Sequence, residues 1–306
     1  MSRTELNPTY AGVCPYVCML CFHGNRNRAT FKTLHFSNLT MEPPVDLSVL
    51  SPKEMSALES MREIFKDVDY PEKHVPGYWF QLNDWTFLRY LRARGYNVKK
   101  AEAMLNETLE VRRKFLPHLI RSTDTEVVNI MKQNVWRFLK PGKDGSSIQL
   151  YFVKNFDAGD PALKDPDAVI RSTLFQSECA LKELQRNGWK SERVNVIFDL
   201  EGFSLLRHAN PYALKIIKAM LEVDDLHFPE TLGKSIVFNS PAIFKGVWVI
   251  IRPWLDVATQ ARVVFASDKQ ALEELIDLEN LIEKHGGVMK GDYPTYYEGW
   301  TEIVYE

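Results

Sequence analysis

The sequence predicts an α/β fold in which a helical N-terminal part precedes a mostly parallel β-sheet flanked by helices. Helical spacing of apolar residues dominates from about residue 51 to residue 120, and from Trp136 short apolar strands alternate with helices. Strands that alternate with helices form parallel sheets joined by right-handed crossovers. The chain of 306 residues, 45% hydrophobic and 25% charged, has a globular composition and enough length for a large core.

Three helices are predicted in the N-terminal part. The first begins at Ser51-Pro52-Lys53-Glu54, where Ser51 is a suitable N-cap and proline occupies the first helical position. The second follows Asn83-Asp84 and ends at Gly95, and the third runs from about Val98 to Leu116 before Pro117. The basic residues of these helices are interpreted as solvated faces, with docking on anionic lipid as the alternative: Arg89, Arg92, Arg112, Arg113 and Lys114.

The second part alternates five strands with longer helices. The predicted strands are Trp136–Leu139, Ile148–Val153, Val194–Phe198, Ser235–Asn239 and Val263–Ala266. The predicted helices are about Pro166 to Asn187, Pro211–Leu226 and Ala242–Arg252, followed by two terminal helices that end at Gly286-Gly287. The continuous apolar strand at Val194–Phe198 is typical of a strand covered on both faces.

The helix Ala242–Arg252 is apolar around nearly its whole circumference. Such a helix is buried, crosses a membrane, or faces a nonpolar ligand. It is too short to span a bilayer, which takes about 20 residues. Taken alone, it is most simply a helix packed inside a large core.

Five blocks resemble, in order and spacing, the CRAL-TRIO lipid-binding family, which includes yeast-type phosphatidylinositol transfer proteins. The blocks are Phe87–Arg94, Val196–Gly202, His227–Lys234, Pro253–Asp256 and Lys284–Gly287, and together they cover about residues 51–288. The resemblance implies a helical N-terminal subdomain and an α/β domain whose sheet floors an apolar lipid pocket. It also implies that the helix Ala242–Arg252 is the gate over that pocket.

The resemblance also sets the expected domain boundaries. We expect a flexible extension at 1–46, a helical subdomain at 47–120, a lipid-binding domain at 121–288 and a tail at 289–306. The sequence leaves open whether this tail packs against the domain. Pro241 and Pro253 flank the gate and Gly246 lies within it, as suits a segment that moves as a unit. The implied gate and pocket-lining residues are Ile243, Phe244, Val247, Trp248, Ile251, Val194 and Val196.

Headgroup contacts are implied position by position. Arg94, Glu230 and Thr259 match positions that resemble the inositol-phosphate contacts of the phosphatidylinositol transfer branch. Two positions depart from that pattern, because Gly95 and Arg262 stand where lysines are usual. The serine, threonine and tyrosine positions of the phosphatidylcholine pattern hold Val194, Val196, Phe138 and Gln149. We therefore expect phosphatidylinositol or another lipid with an anionic headgroup to bind at Arg94, Glu230, Thr259 and Arg262.

Two of the acidic residues also have structural interpretations. Glu230 follows Pro229 at an apparent helix start, where an acid stabilises the helix terminus. Asp199 ends a predicted strand and is interpreted as a structural turn or cap residue. These interpretations compete with a functional one at Glu230.

The predicted protein is a monomeric, cytoplasmic, non-enzymatic lipid-transfer or lipid-presenting protein with transient peripheral membrane contact and no cofactor. The net charge of −2 offers no field for nucleic acid, and no nucleotide-binding or catalytic motif is present. One alternative is a regulatory interaction domain that binds a protein such as a small GTPase. Another is a carrier of a small apolar ligand of the retinoid or tocopherol type.

Three cysteines near the N-terminus, Cys14, Cys18 and Cys21, have the C-x3-C-x2-C spacing of some iron–sulfur sites, and His23 follows them. No barrel strands follow them and no second zinc knuckle accompanies them. We therefore predict no metal site and interpret the cysteines as incidental, with lipidation or redox roles as the alternative.

Overall fold

The structure, a computed structural model, describes residues 43–121, 124–133 and 135–293. The predicted N-terminal extension up to residue 42, the three clustered cysteines and the tail from residue 294 lie outside the described residues. The described part contains the helical region and the α/β region in the predicted order, and the predicted fold class is confirmed.

Three helices form the N-terminal region: α1 (Pro52–Phe65), α2 (Asp84–Ala93) and α3 (Val98–Phe115). The predicted start of α1 is confirmed by a reciprocal capping box. The Glu54 backbone N–H donates to Ser51 Oγ at 3.3 Å, and the Ser51 N–H donates to Glu54 Oε2 at 2.8 Å. The three helices bury their apolar faces in one shared core, which includes Leu58, Met61, Leu88, Leu91 and Leu105.

Five strands form one sheet in the order β1-β2-β3-β4-β5. The strands are β1 (Trp136–Leu139), β2 (Ser147–Phe152), β3 (Val194–Asp199), β4 (Leu232–Phe238) and β5 (Val263–Ala266). The first pair is antiparallel and the other three pairs are parallel. The prediction of a mostly parallel sheet is confirmed.

Seven helices accompany the sheet within the described residues. They are α4 (Thr125–Lys132), α5 (Pro166–Arg186), α6 (Leu205–His208), α7 (Pro211–His227), α8 (Phe244–Ile251), α9 (Val257–Ala261) and α10 (Gln270–Glu273). The long helices α5 and α7 lie where they were predicted. Of the two terminal helices predicted after the last strand, only one has an α-helical counterpart, the short α10, because the chain then forms 3₁₀ turns at Leu278–Asn280 and Glu283–His285.

This irregular C-terminal segment fills one face of the sheet. Leu272, Ile276 and Leu281 are fully buried against apolar residues of the strands. Gly287 is required there, since a Cβ atom would lie 1.9 Å from the Leu281 carbonyl oxygen. Tyr293 is buried in the same cluster, and its hydroxyl lies 2.9 Å from His285 Nδ1. The first residues of the predicted tail therefore pack against the domain.

The interpretation of Arg89 and Arg112 as solvated residues is wrong, because both are buried. The Arg112 Nη2 group donates to Glu178 Oε1 at 2.9 Å, and its Nε lies 3.1 Å from Glu72 Oε1. Arg89 Nε donates to the Pro229 carbonyl at 2.8 Å, and its guanidinium lies over the Trp85 ring. Their partners come from segments distant in the chain, so helical periodicity alone did not indicate that these charges were buried.

Candidate functional site

The two faces of the sheet are filled to different degrees. On the central strand β3, Ile197 and Asp199 are buried beneath the C-terminal segment. Val196 and Phe198, which point to the opposite face, are only half-buried. A central strand has neighbours on both sides, so accessibility there indicates incomplete covering from above. We call the space over this face the recess.

The register of the sheet places two rows of side chains toward the recess. Parallel pairing aligns Tyr151, Phe198, Val237 and Phe265 in one row, and Gln149, Val196, Ser235 and Val263 in the next. Tyr151 and Phe198 stack with ring centroids 5.1 Å apart. Of the two predicted lining residues on β3, Val196 lies in this surface, whereas Val194 is buried and the register shifts between the two.

Helix α8 covers part of the recess face with one side only. Phe244 and Val247 are buried in a cluster with Leu200 and Val237, and Trp248 and Ile251 are half-buried at its margin. The Trp248 ring meets Phe265 of the edge strand β5, with ring centroids 5.4 Å apart. The predicted gate residues other than Ile243 therefore form the inner side of this helix.

The outer side of α8 is apolar and exposed. Ile243 is 54% exposed just before the helix, and Val249 and Ile250 are 71% and 49% exposed. A helix packed inside a core would bury such side chains, so the simplest interpretation from the residues alone is wrong. Residues 242–243 form a turn and Arg252–Trp254 a 3₁₀ turn, so the α-helix itself is shorter than predicted.

Glu230 lies between two arginines near the start of β4. Its Oε2 accepts a hydrogen bond from Arg262 Nη2 at 3.1 Å, and Arg193 Nη1 donates to its main-chain carbonyl and lies 3.7 Å from Oε2. Helix α7 ends at His227 and a strand begins at Leu232, so the interpretation of Glu230 as a stabiliser of a helix start is wrong. Glu230 has φ of 60°, an uncommon conformation for a residue other than glycine.

Thr259 lies in the first turn of α9, which Asp256 caps and which ends beside Arg262. Its hydroxyl donates to Asp256 Oδ2 at 2.6 Å, and its N–H donates to Asp256 Oδ1 at 2.9 Å. Burial opposes ionisation of Asp256, but these hydrogen bonds and the charge of Arg262 hold its pKa below the usual value. Thr259 and Arg262 are thus joined through one carboxylate.

Arg94 is linked to this group by its charge, through Asp225, and not by a direct contact. It is half-buried at the end of α2, and its Nη1 donates to the neighbouring Ala93 carbonyl at 3.0 Å. Burial and the charge of Asp256 raise the pKa of Asp225 on α7, while Arg94 opposes that rise. Asp225 therefore lies within range of both Arg94 and Asp256, and the predicted headgroup residues fall in one region of the molecule.

Sequence reasoning missed three members of this charged cluster: Arg193, Asp225 and Asp256. Arg193 lies in the short connection between α5 and β3, where nothing in the local pattern separates it from a solvated turn residue. Burial and the nearby charge of Arg262 lower the pKa of Arg193. Asp256 had a usable signal, since it directly precedes a helix as an N-cap.

Two further properties of the described residues bear on function. None of their helices is long and apolar enough to cross a bilayer. Within the same residues, no group of three or more His, Cys, Asp or Glu side chains is arranged to hold a metal ion.

Comparisons with known proteins identify the family and support the fold. The family model of the CRAL/TRIO domain matches residues 133–287, and that of the CRAL/TRIO N-terminal domain matches residues 57–107. The crystal structure of Sfh5 superposes with a TM-score of 0.62 at 18% identity, covering 78% of this chain and 88% of that one. At this identity the superposition supports the fold alone.

Relatives share this domain within longer proteins. A CRAL-TRIO domain-containing protein of Schizosaccharomyces pombe is 27% identical over 75% of this chain and 52% of its own length. The protein real-time of Drosophila melanogaster is 27% identical over 80% of this chain and 37% of its own. The phosphatidylinositol transfer protein CSR1 of Eremothecium gossypii is 26% identical over 78% and 55%. The chain therefore spans about half or less of these relatives.

The family model of the main domain alone covers half of the chain, and the N-terminal model matches the helical region that the structure places before the sheet. The resemblance predicted from five sequence blocks is confirmed. This chain belongs to the CRAL/TRIO family.

Proposed function

We propose that the protein binds a single lipid in the recess and transfers it between membranes, or presents it, without chemistry. The observation that supports this most is the apolar helix α8, which lies over an incompletely filled sheet face while its outer side stays exposed. Moving a two-chain phospholipid into water exposes roughly 30 methylenes at about 0.8 kcal/mol each, or about 20–25 kcal/mol. A carrier avoids that barrier because the lipid passes directly from the bilayer into a dry cavity of the protein.

The charged cluster supports an anionic headgroup, with phosphatidylinositol as the first choice. Arg193 and Arg262 meet one carboxylate, Glu230, so the three carry a net positive charge. Arg262 offers phosphate a bidentate grip, although Gly95 takes away the lysine expected beside Arg94. The name of the relative CSR1, a phosphatidylinositol transfer protein, points the same way. In this proposal Thr259 exchanges its bond to Asp256 for one to the headgroup.

Helix α8 serves as the gate in this proposal. Its exposed residues Ile243, Val249 and Ile250 insert into the membrane interface, and a swing about Pro241 and Pro253 opens the recess. Membrane contact is transient and peripheral, made by a cytoplasmic monomer. Because net charge is −2, attraction to the bilayer depends on this apolar surface and on local arginines.

The gate is tested by charge substitutions at accessible positions of α8. Trp248→Asp and Ile250→Asp should reduce phosphatidylinositol transfer between vesicles by about tenfold or more, because a carboxylate opposes both lid closure and membrane insertion. Val49→Asp is the matched control, since Val49 is also apolar and 70% exposed but lies in the N-terminal region. Fluorescent lipid transfer measures the rate, and circular dichroism checks that each variant folds.

Two results would contradict the proposal. One is unchanged transfer by both α8 variants. The other is the absence of any bound or extractable lipid in the wild-type protein, measured by mass spectrometry, which would favour a protein-binding domain.

A further inference from the structure

Asp224 lies on the stripe of α7 that also carries Ile217 and Leu221. The spacing of four and three residues puts these three side chains on one helix face. Ile217 and Leu221 are half-buried and Asp224 is exposed. The solvated face of the same helix is different, since it carries the exposed ion pair of Lys218 and Glu222. Asp224 therefore lies on the half-buried face of α7 and not on its solvated face.

Leu214, on the same stripe of α7, packs against the apolar cluster that contains Val237 of the recess row. Burial raises the pKa of Tyr151 well above its usual value, and the charge of Asp224 raises it further. Tyr151 belongs to the recess row of the sheet, where it stacks on Phe198. Asp224 thus lies within electrostatic range of the recess surface.

Two consecutive residues of α5 bond Asp224 of α7 and Tyr151 of β2. Ser177 Oγ of α5 donates to Asp224 Oδ1 at 2.6 Å. Tyr151 of β2 donates its hydroxyl to Gln176 Oε1 at 2.8 Å, and Gln149 Nε2 donates to the Gln176 carbonyl at 3.2 Å. Among the described residues, Oδ2 of Asp224 has no hydrogen-bond partner. One acceptor oxygen of this carboxylate is therefore available to a bound ligand.

The protein around Asp224 opposes ionisation of its carboxyl group. Water reaches the Asp224 side chain, yet burial raises its pKa to about 6, and the neighbouring Asp225 adds to the rise. Both hold together for a group that lines a recess enclosed by protein. An ionised carboxylate there gains from a hydrogen-bond donor or a cation, and it repels a phosphate or a second carboxylate.

We propose that Asp224, with Ser177 and Tyr151, forms a polar subsite in the recess that takes a hydrogen-bond-donating group of the bound lipid, a hydroxyl or an ammonium. This proposal rests on the proposed lipid-binding function and specifies which chemical group of the lipid is bound at Asp224. Its charge is opposite to that of the arginine cluster around Glu230. The chain thus carries one site suited to an anionic group and another that rejects one.

The test is native mass spectrometry of the full chain with three probes that share one acyl length: stearyl alcohol, stearylamine and stearic acid. At equal concentration the alcohol and the amine should bind about tenfold or more tightly than the acid, because only they can donate to Asp224. Preference for the amine over the alcohol identifies an ammonium ligand, and similar binding of the two identifies a hydroxyl.

Variants assign this preference to Asp224. Asp224→Leu should lose the preference for the two donors, and Asp224→Asn, which keeps the shape, should lose the advantage of the amine. Glu222→Gln is the matched control, since that carboxylate lies on the solvated face of the same helix, where it pairs with Lys218, and it should keep the wild-type ranking. Thermal melts confirm folding.

An unchanged ranking in Asp224→Leu and Asp224→Asn would overturn the subsite. So would wild-type protein that extracts phosphatidylinositol from mixed phosphatidylinositol–phosphatidylcholine vesicles but shows no preference among the probes, and in that case the transfer function would stand. Protein that takes up no probe and no phospholipid would reject both proposals.

Discussion

At the scale of single residues, the buried ion pairs around Arg112 link the helical region to the α/β region. Arg112 of α3 is 1% exposed and pairs with Glu178 of α5 and with Glu72. Burial opposes the charge of Arg112, but the two carboxylates raise its pKa above the usual value. Arg112→Met should lower the free energy of unfolding by about 3–5 kcal/mol, because it leaves two carboxylates buried without their cation.

The adjacent Arg113 supplies the control for this prediction. It is exposed and pairs with Glu110 one helical turn away, so Arg113→Met should cost less than about 1 kcal/mol. Urea unfolding followed by tryptophan fluorescence measures both variants. Equal losses in the two variants would mean that the buried pairs contribute nothing specific.

At the scale of secondary-structure elements, helix starts are set by side chains close in the sequence. Ser51, Asn83 and Asn97 each accept a hydrogen bond from an N–H group in the first turn of α1, α2 and α3. Ser51→Ala removes the capping box of α1 and should destabilise the protein by about 1 kcal/mol. Ser60→Ala, in the interior of the same helix, should change stability by less than about 0.5 kcal/mol. Thermal denaturation distinguishes the two, and a larger loss from Ser60→Ala would contradict the role given to the cap.

At the scale of the whole molecule, the stability depends on pH through two groups at the end of α7 whose contributions change in opposite directions. Burial and the charge of Arg112 lower the pKa of His227 from 6.5 to about 4. As pH falls, the unfolded state therefore takes up the proton at a higher pH than the folded state does. The contribution of His227 to the free energy of unfolding is lost as pH falls from 6.5 toward 4, and it amounts to about 3 kcal/mol. The raised pKa of Asp224 acts in the other direction, since its contribution is lost as pH rises from 3.8 through 6.

Single variants separate these two effects. His227→Gln should remove the loss of stability between pH 6.5 and 4, so the difference in unfolding free energy between wild type and variant should shrink toward low pH. Asp224→Asn should become more stable relative to the wild type as pH rises. Urea titrations at pH 4.5 and 7 measure both, and differences that do not vary with pH would show that these groups titrate alike in the folded and unfolded chain.

The sequence by itself determined the helix starts, the strands, the parallel sheet and the family, because caps, apolar periodicity and the five blocks are local in the chain. Only the tertiary structure revealed that Arg89 and Arg112 are buried, that α8 is apolar on an exposed side, and that Arg193 and Arg262 converge on Glu230. It also showed that consecutive residues of α5 bond Asp224 of α7 and Tyr151 of β2. Whether a side chain is buried or paired with a charge depends on neighbours from distant parts of the chain, and no short window of sequence contains those neighbours.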